Sequence, residues 1–139
     1  MGAGDRIREL LAPLFEESGK EMRPADGAAV EALMRRLAKM GVPPEAAEQL
    51  ADLYRVTDGV PCLDSLDIHA CGDDILFEWE GEGVPLWIGQ RDMDSLMWAD
   101  GRFRLGDASG ESYGEEYEFE SLAGLLEAAL GYRRGPEGE

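Results

Sequence analysis

Cys62, His69 and Cys71 are the residues in this chain whose types most directly raise the question of chemistry. A thiolate beside an imidazole makes a nucleophile, and two thiolates with an imidazole supply three of four zinc ligands. The spacing supports neither. It matches no usual structural-zinc pattern, and a fourth ligand would have to be a carboxylate. His69 and Cys71 fall on the same face of an expected strand, with no evident orienting group or oxyanion donors. The cysteines read better as small apolar residues. Asp73-Asp74 and Asp92-x-Asp94 do not continue into an EF-hand loop, and nothing selects a carboxylate pair for sugar hydrolysis. Gly89, Gly101, Gly106 and Gly110 form no phosphate-cradling pattern and lack the lysine such a loop needs. The sequence therefore predicts no catalytic residue, no metal and no cofactor.

What the sequence offers instead is charge. The chain has 139 residues with 30 acidic and 13 basic side chains, a formal charge of −17. Residues 57–131 hold 18 of the acids and only three bases, Arg91, Arg102 and Arg104. Such a surface repels nucleic acid and anionic membranes and speeds encounter with a cationic protein. Two cysteines make no disulfide framework, and the N-terminus has no apolar signal region or spanning run, so a cytoplasmic protein is expected. The expected contact set is Glu78 and Glu80, Asp92 and Asp94, and Glu116 and Glu118 for charge, with Trp87 as an aromatic anchor. Glu120 extends the acidic row. Glu78, Glu80, Glu116, Glu118 and Glu120 are expected on the outer faces of strands. Like charges crowded there lower stability, a cost that binding would offset.

Several elements must position those residues. Ile7, Leu10, Leu11, Leu14 and Phe15 recur at helical spacing, with Asp5 as cap and Pro13 as a bend or break. Val30, Leu33, Met34, Leu37 and Met40 mark a second helix between Asp26 and Gly41. Val42-Pro43-Pro44 opens a third, with Leu50, Leu53 and Tyr54 inward, ending at Thr57-Asp58-Gly59. The period then becomes two. Ile75, Phe77 and Trp79 alternate with Glu78 and Glu80, then Leu86 and Ile88 with Trp87, closing at Gly89. Asp100-Gly101 writes a hairpin turn that sets Ala99 opposite Arg102, Trp98 opposite Phe103, Met97 opposite Arg104 and Leu96 opposite Leu105. Tyr117 and Phe119 form the inner face of a further strand, and Ser121 caps a last helix carrying Leu122, Leu125, Leu126, Ala129 and Leu130. Residues 1–131 thus form one domain, with 132–139 as a flexible tail. Helices and strands segregate along the chain, which predicts an α+β fold. Its sheet should be mixed, mostly antiparallel and of about five strands, packed by N-terminal helices and one C-terminal helix.

Across residues 28–131 this order resembles the SUKH superfamily, which includes fungal cell-wall-synthesis regulators and bacterial immunity proteins. The resemblance lies in Pro43-Pro44, then Leu53-Tyr54-Arg55-Val56-Thr57-Asp58-Gly59, an aromatic strand at Leu76-Phe77-Glu78-Trp79, Leu86-Trp87-Ile88-Gly89, the Asp-Gly hairpin, and Phe119-Glu120-Ser121-Leu122. The doubled proline, and Val42 where leucine is more usual, depart from the pattern. The resemblance implies a sheet packed by helices, no catalysis, and a protein partner, such as a basic nuclease or deaminase toxin that the domain occludes. A regulatory interaction module, like the fungal members, is the alternative it offers. It transfers no contact residue.

Overall fold

The computed structural model describes residues 3–132. Three helices come first: α1 (Ala3–Ser18), α2 (Gly27–Lys39) and α3 (Pro44–Val56). Six strands follow: β1 (Val60–Leu63), β2 (Leu66–Ile68), β3 (Leu86–Arg91), β4 (Asp94–Ala99), β5 (Arg102–Gly106) and β6 (Glu118–Phe119). Helix α4 (Leu122–Tyr132) closes the described chain. The fold is α+β, as expected. Its sheet is antiparallel throughout, and its strands lie side by side in chain order. Of the tail expected over 132–139, Tyr132 belongs to α4 and the remainder lies outside the described residues.

The hairpin register holds at every expected pair, from Ala99↔Arg102 to Leu96↔Leu105. Asp100 and Gly101 take φ of +54° and +83°, the conformation that this two-residue turn requires. Leu96, Trp98, Phe103 and Leu105 are buried together against the helices, joined by Leu86 and Ile88 from β3. α1 contributes Ile7 and Leu11, α3 contributes Leu50, Leu53 and Tyr54, and α4 contributes Leu122, Leu125 and Leu126. Ser121 caps α4 as expected, accepting from the Gly124 N–H at 2.9 Å.

Other expectations need correction. Pro13 does not split α1. It stands on the exposed side, where the carbonyl it leaves unpaired meets water rather than core. Asp5 lies inside the first turn of α1, where its charge suits the helix dipole. Asp26 occupies the cap position of α2 without a side-chain hydrogen bond. Residues 75–80 are not a strand. They fall in two short 3-10 turns, Asp74–Phe77 and Glu80–Glu82, and in the plain turn at Glu78 and Trp79 that joins them. The Asp73 carboxylate accepts from the Ile75 N–H at 3.1 Å and turns the chain before any ladder can form. Leu76 is the deeply buried residue there, not Ile75 or Phe77. Likewise Glu116 and Tyr117 lie in a 3-10 turn, and the strand after them has only Glu118 and Phe119.

Candidate functional site

Helices α1 and α4 pack on one face of the sheet, α3 packs against both of them, and α2 packs on α3. The opposite face carries a row of side chains across neighbouring strands: Trp87 on β3 pairs with Met97 on β4, which pairs with Arg104 on β5, which pairs with Glu118 on β6. Residue 69, one step beyond β2, adds an imidazole to the row. The His69 ring meets Trp87 edge-on, with centroids 4.8 Å apart.

This face is roofed by the chain itself. Trp79 stacks on Trp87 at 4.2 Å with planes 7° apart, offset from the edge-on His69. Gly110 fits against the Trp79 ring and Val84, so the loop after β5 crosses the same area. A Cβ at Gly106 would overlap the Met97 methyl and the Glu111 carbonyl, and Met97 is accordingly sealed. Trp87 is therefore half-buried under Trp79. The indole Nε1 of Trp87 and the Nε2 of His69 are buried with no hydrogen-bond partner.

His69 sits among acids. Burial lowers its pKa from 6.5, and the charges of Asp67, Asp73 and Glu78 oppose that shift. Neutral imidazole is the consequence near pH 7. The backbone beside it is tied down by the α3 terminus. Tyr54 donates from its hydroxyl to the His69 carbonyl at 2.8 Å, and Asp58 accepts from the Cys71 N–H at 2.7 Å. Gly59 passes so close to β2 that a Cβ there would stand 2.6 Å from the Ile68 carbonyl oxygen, and its φ is +85°. Cys71 is buried, and burial with the Asp58 charge pushes its thiol up to about 11. At neutral pH it remains a thiol, the unreactive form. Cys62 is exposed on β1. A pocket of about 390 Å³ opens beside His69 between Phe15, Arg23, Asp58 and Asp67.

The expected contact residues divide into two groups. Glu78 and Glu80 are exposed beside the roofing turns, near the Trp79–Trp87–His69 cluster. Asp92, Asp94 and Glu116 belong to the far end of the sheet. Asp92 is exposed in the β3–β4 turn at φ +55°, and Glu116 is exposed in its 3-10 turn. Asp94 accepts from the Tyr113 hydroxyl at 2.6 Å, and Tyr113 packs edge-on against Tyr117 at 5.7 Å. Glu118 is half-buried, accepts from the Ser112 hydroxyl at 3.0 Å and lies 3.9 Å from Arg104. Its charge is engaged inside the molecule rather than offered outward. Glu120 pairs with Arg102 at 3.3 Å.

Sequence reasoning missed the two large apolar side chains that, among the described residues, are most open to solvent, Met93 at 71% exposure and Tyr113 at 41%. Met93 was legible as the tip of a turn between two acids. It was hidden by ending β3 at Gly89, whereas the strand runs to Arg91 with a bulge between Trp87 and Gly89.

Comparison with family models, curated proteins and solved structures gives no match for this chain. Among the described residues no helix is long and apolar enough to cross a membrane.

Proposed function

We propose that this chain is a non-catalytic, cytoplasmic protein-binding domain: an immunity protein that neutralises a cationic toxin of the nuclease or deaminase class by covering it. The observation that carries this reading is where the charge is left over. The three bases of residues 57–131 are all engaged within the chain. Arg91 is buried against Asp64 at 3.0 Å, Arg102 meets Glu120 at 3.3 Å, and Arg104 lies between Asp100 and Glu118 at 3.7 and 3.9 Å. Glu78, Glu80, Asp92 and Glu116 remain exposed. A basic catalytic cleft would be attracted at long range and then blocked sterically. The SUKH resemblance supports the same reading.

The test is to read the gene neighbourhood for a large secreted protein with a variable C-terminal domain and to coexpress that domain with this chain; absence of such a neighbour would count against the immunity role. The wild-type chain should restore growth. The wild-type chain should bind with a steep salt dependence, whereas a Glu78→Lys/Glu80→Lys/Glu116→Lys variant should fold normally, bind more weakly with a shallower salt dependence, and protect poorly. Glu118 is left intact because it supports Arg104 and Ser112. Full protection by the reversed variant would reject the acidic surface, and no protection by the wild-type chain would reject the immunity role.

A further inference from the structure

The β3–β4 turn and the loop after β5 meet at one end of the sheet and combine two features that seldom coincide. The first is exposed apolar surface. Met93 projects from the turn at 71% exposure, and nearby Tyr113 is 41% exposed with its hydroxyl held on Asp94 at 2.6 Å. The second is charge of a single sign. Asp92, Asp94, Asp107, Glu111, Glu115 and Glu116 lie in the turn and the loop, and residues 92–94 and 105–117 contain no lysine or arginine. The turn also costs free energy to form, since Asp92 adopts a positive φ (+55°) where glycine would be relaxed.

We infer that Met93, between Asp92 and the Tyr113-bonded Asp94, is the apolar anchor of this chain for a basic protein segment whose cations flank an apolar side chain or recess. The inference rests on the acidic-surface reading above and places its centre at this end of the sheet. It moves the anchor from Trp87, which is stacked under Trp79, to a side chain already in water. Methionine suits the task because its unbranched thioether adapts to irregular apolar surfaces. Tyrosine supplies a rigid ring whose polar end is already oriented. Acids on both sides exclude acidic partners and bring lysine or arginine onto the rim, leaving the methionine to be desolvated at the centre.

The experiment uses the full chain with isotope-labelled methionine methyl groups and two synthetic probes: a short peptide alternating arginine with leucine, and its arginine–glycine counterpart. At low salt the leucine peptide should bind about tenfold more tightly, as expected for burying one apolar side chain. The Met93 methyl should shift most. Met93→Ser, which removes a side chain open to solvent, should leave the fold and the arginine–glycine affinity unchanged while erasing the tenfold preference. Equal binding of the two peptides, or a preference that survives Met93→Ser, overturns the anchor and leaves the charge reading standing. Failure of both peptides to bind at low salt overturns the two together.

Discussion

Arg91 is the residue whose loss should reveal most about how this fold is held. It is 4% exposed and sits where β3 passes beneath the end of α4. Its Nη1 donates to the carbonyls of Ala129 and Leu130 at 2.8 and 3.1 Å, its Nε to the Asp64 carbonyl at 3.2 Å, and its Nη2 to the Asp64 carboxylate at 3.0 Å. The guanidinium thus caps the C-terminal end of α4, where a cation also suits the helix dipole. Arg91→Met keeps much of the aliphatic volume and removes the donors. Buried acceptors left without partners cost about 1–3 kcal/mol each, and breaking a buried pair typically costs ~3–5 kcal/mol. Part of that is recovered because the Asp64 side chain is 43% exposed and can rehydrate. The expected loss is about 3 kcal/mol, or a Tm lower by ~10 °C for a domain of this size. Urea unfolding followed by circular dichroism measures it, with an unchanged m-value as the control for compactness. Asp64→Asn should cost less than about 1 kcal/mol, because that half of the pair is solvated. If Arg91→Met unfolds within ~0.5 kcal/mol of wild type, or if Asp64→Asn is the costlier change, the capping argument is wrong.

Two further predictions concern the sheet. His69 has a folded pKa below its usual 6.5, so its contribution to stability is complete above about pH 6.5 and declines as pH falls through the folded value. His69→Phe should remove that part of the acid sensitivity, seen as a flatter dependence of the urea midpoint on pH between about 7 and 5; an unchanged slope would show that His69 is not the group responsible. Gly89→Ala should destabilise by roughly 2 kcal/mol, since its Cβ would overlap the Asp67 carbonyl and force β2 away from β3. A neutral effect by the same unfolding assay would mean that the two strands can separate freely at that point.

The parts of the fold that were legible in the sequence are those where a local signal and an apolar pattern agree. Asp100-Gly101 fixed one register, and the alternation of Leu96, Trp98, Phe103 and Leu105 demanded the same one. Ser121 and the leucines after it likewise point together. Legibility failed where a short-range polar contact overrides alternation. Ile75, Phe77 and Trp79 have the period of a strand, yet the Asx turn at Asp73 commits the chain to 3-10 geometry first. For the opposite reason β1 was missed, and the strand expected at His69 and Cys71 is instead β2, which ends at Ile68. They are only four and three residues long, and Pro61 and Cys62 interrupt any period between Val60 and Leu63. The acids were found individually, but their grouping depends on turns that bring distant residues together. Tyr113 on Asp94 joins residues nineteen apart. The withdrawal of Glu118 from the open surface follows from its pairing across β5, which no pattern within one strand announces.

The order of strands in the sheet, which copies their order in the chain, has a consequence for synthesis. Each new strand finds its partner already made, so no ladder needs a crossover; the β1–β2, β3–β4 and β4–β5 ladders close tight turns at small entropic cost, while residues 69–85 must be spanned between β2 and β3. A nascent chain can zip this sheet from one margin to the other as it leaves the ribosome. The exception is α4, which packs on α1 across nearly the whole length of the polypeptide. Until residues 122–132 emerge, Ile7 and Leu11 lack that neighbour, and Phe103 and Leu105 await a cover. The last helix of the described residues is thus the one that covers this part of the interior. A chain stopped before Leu122 should leave the ribosome with its strands zipped and its interior open to chaperones.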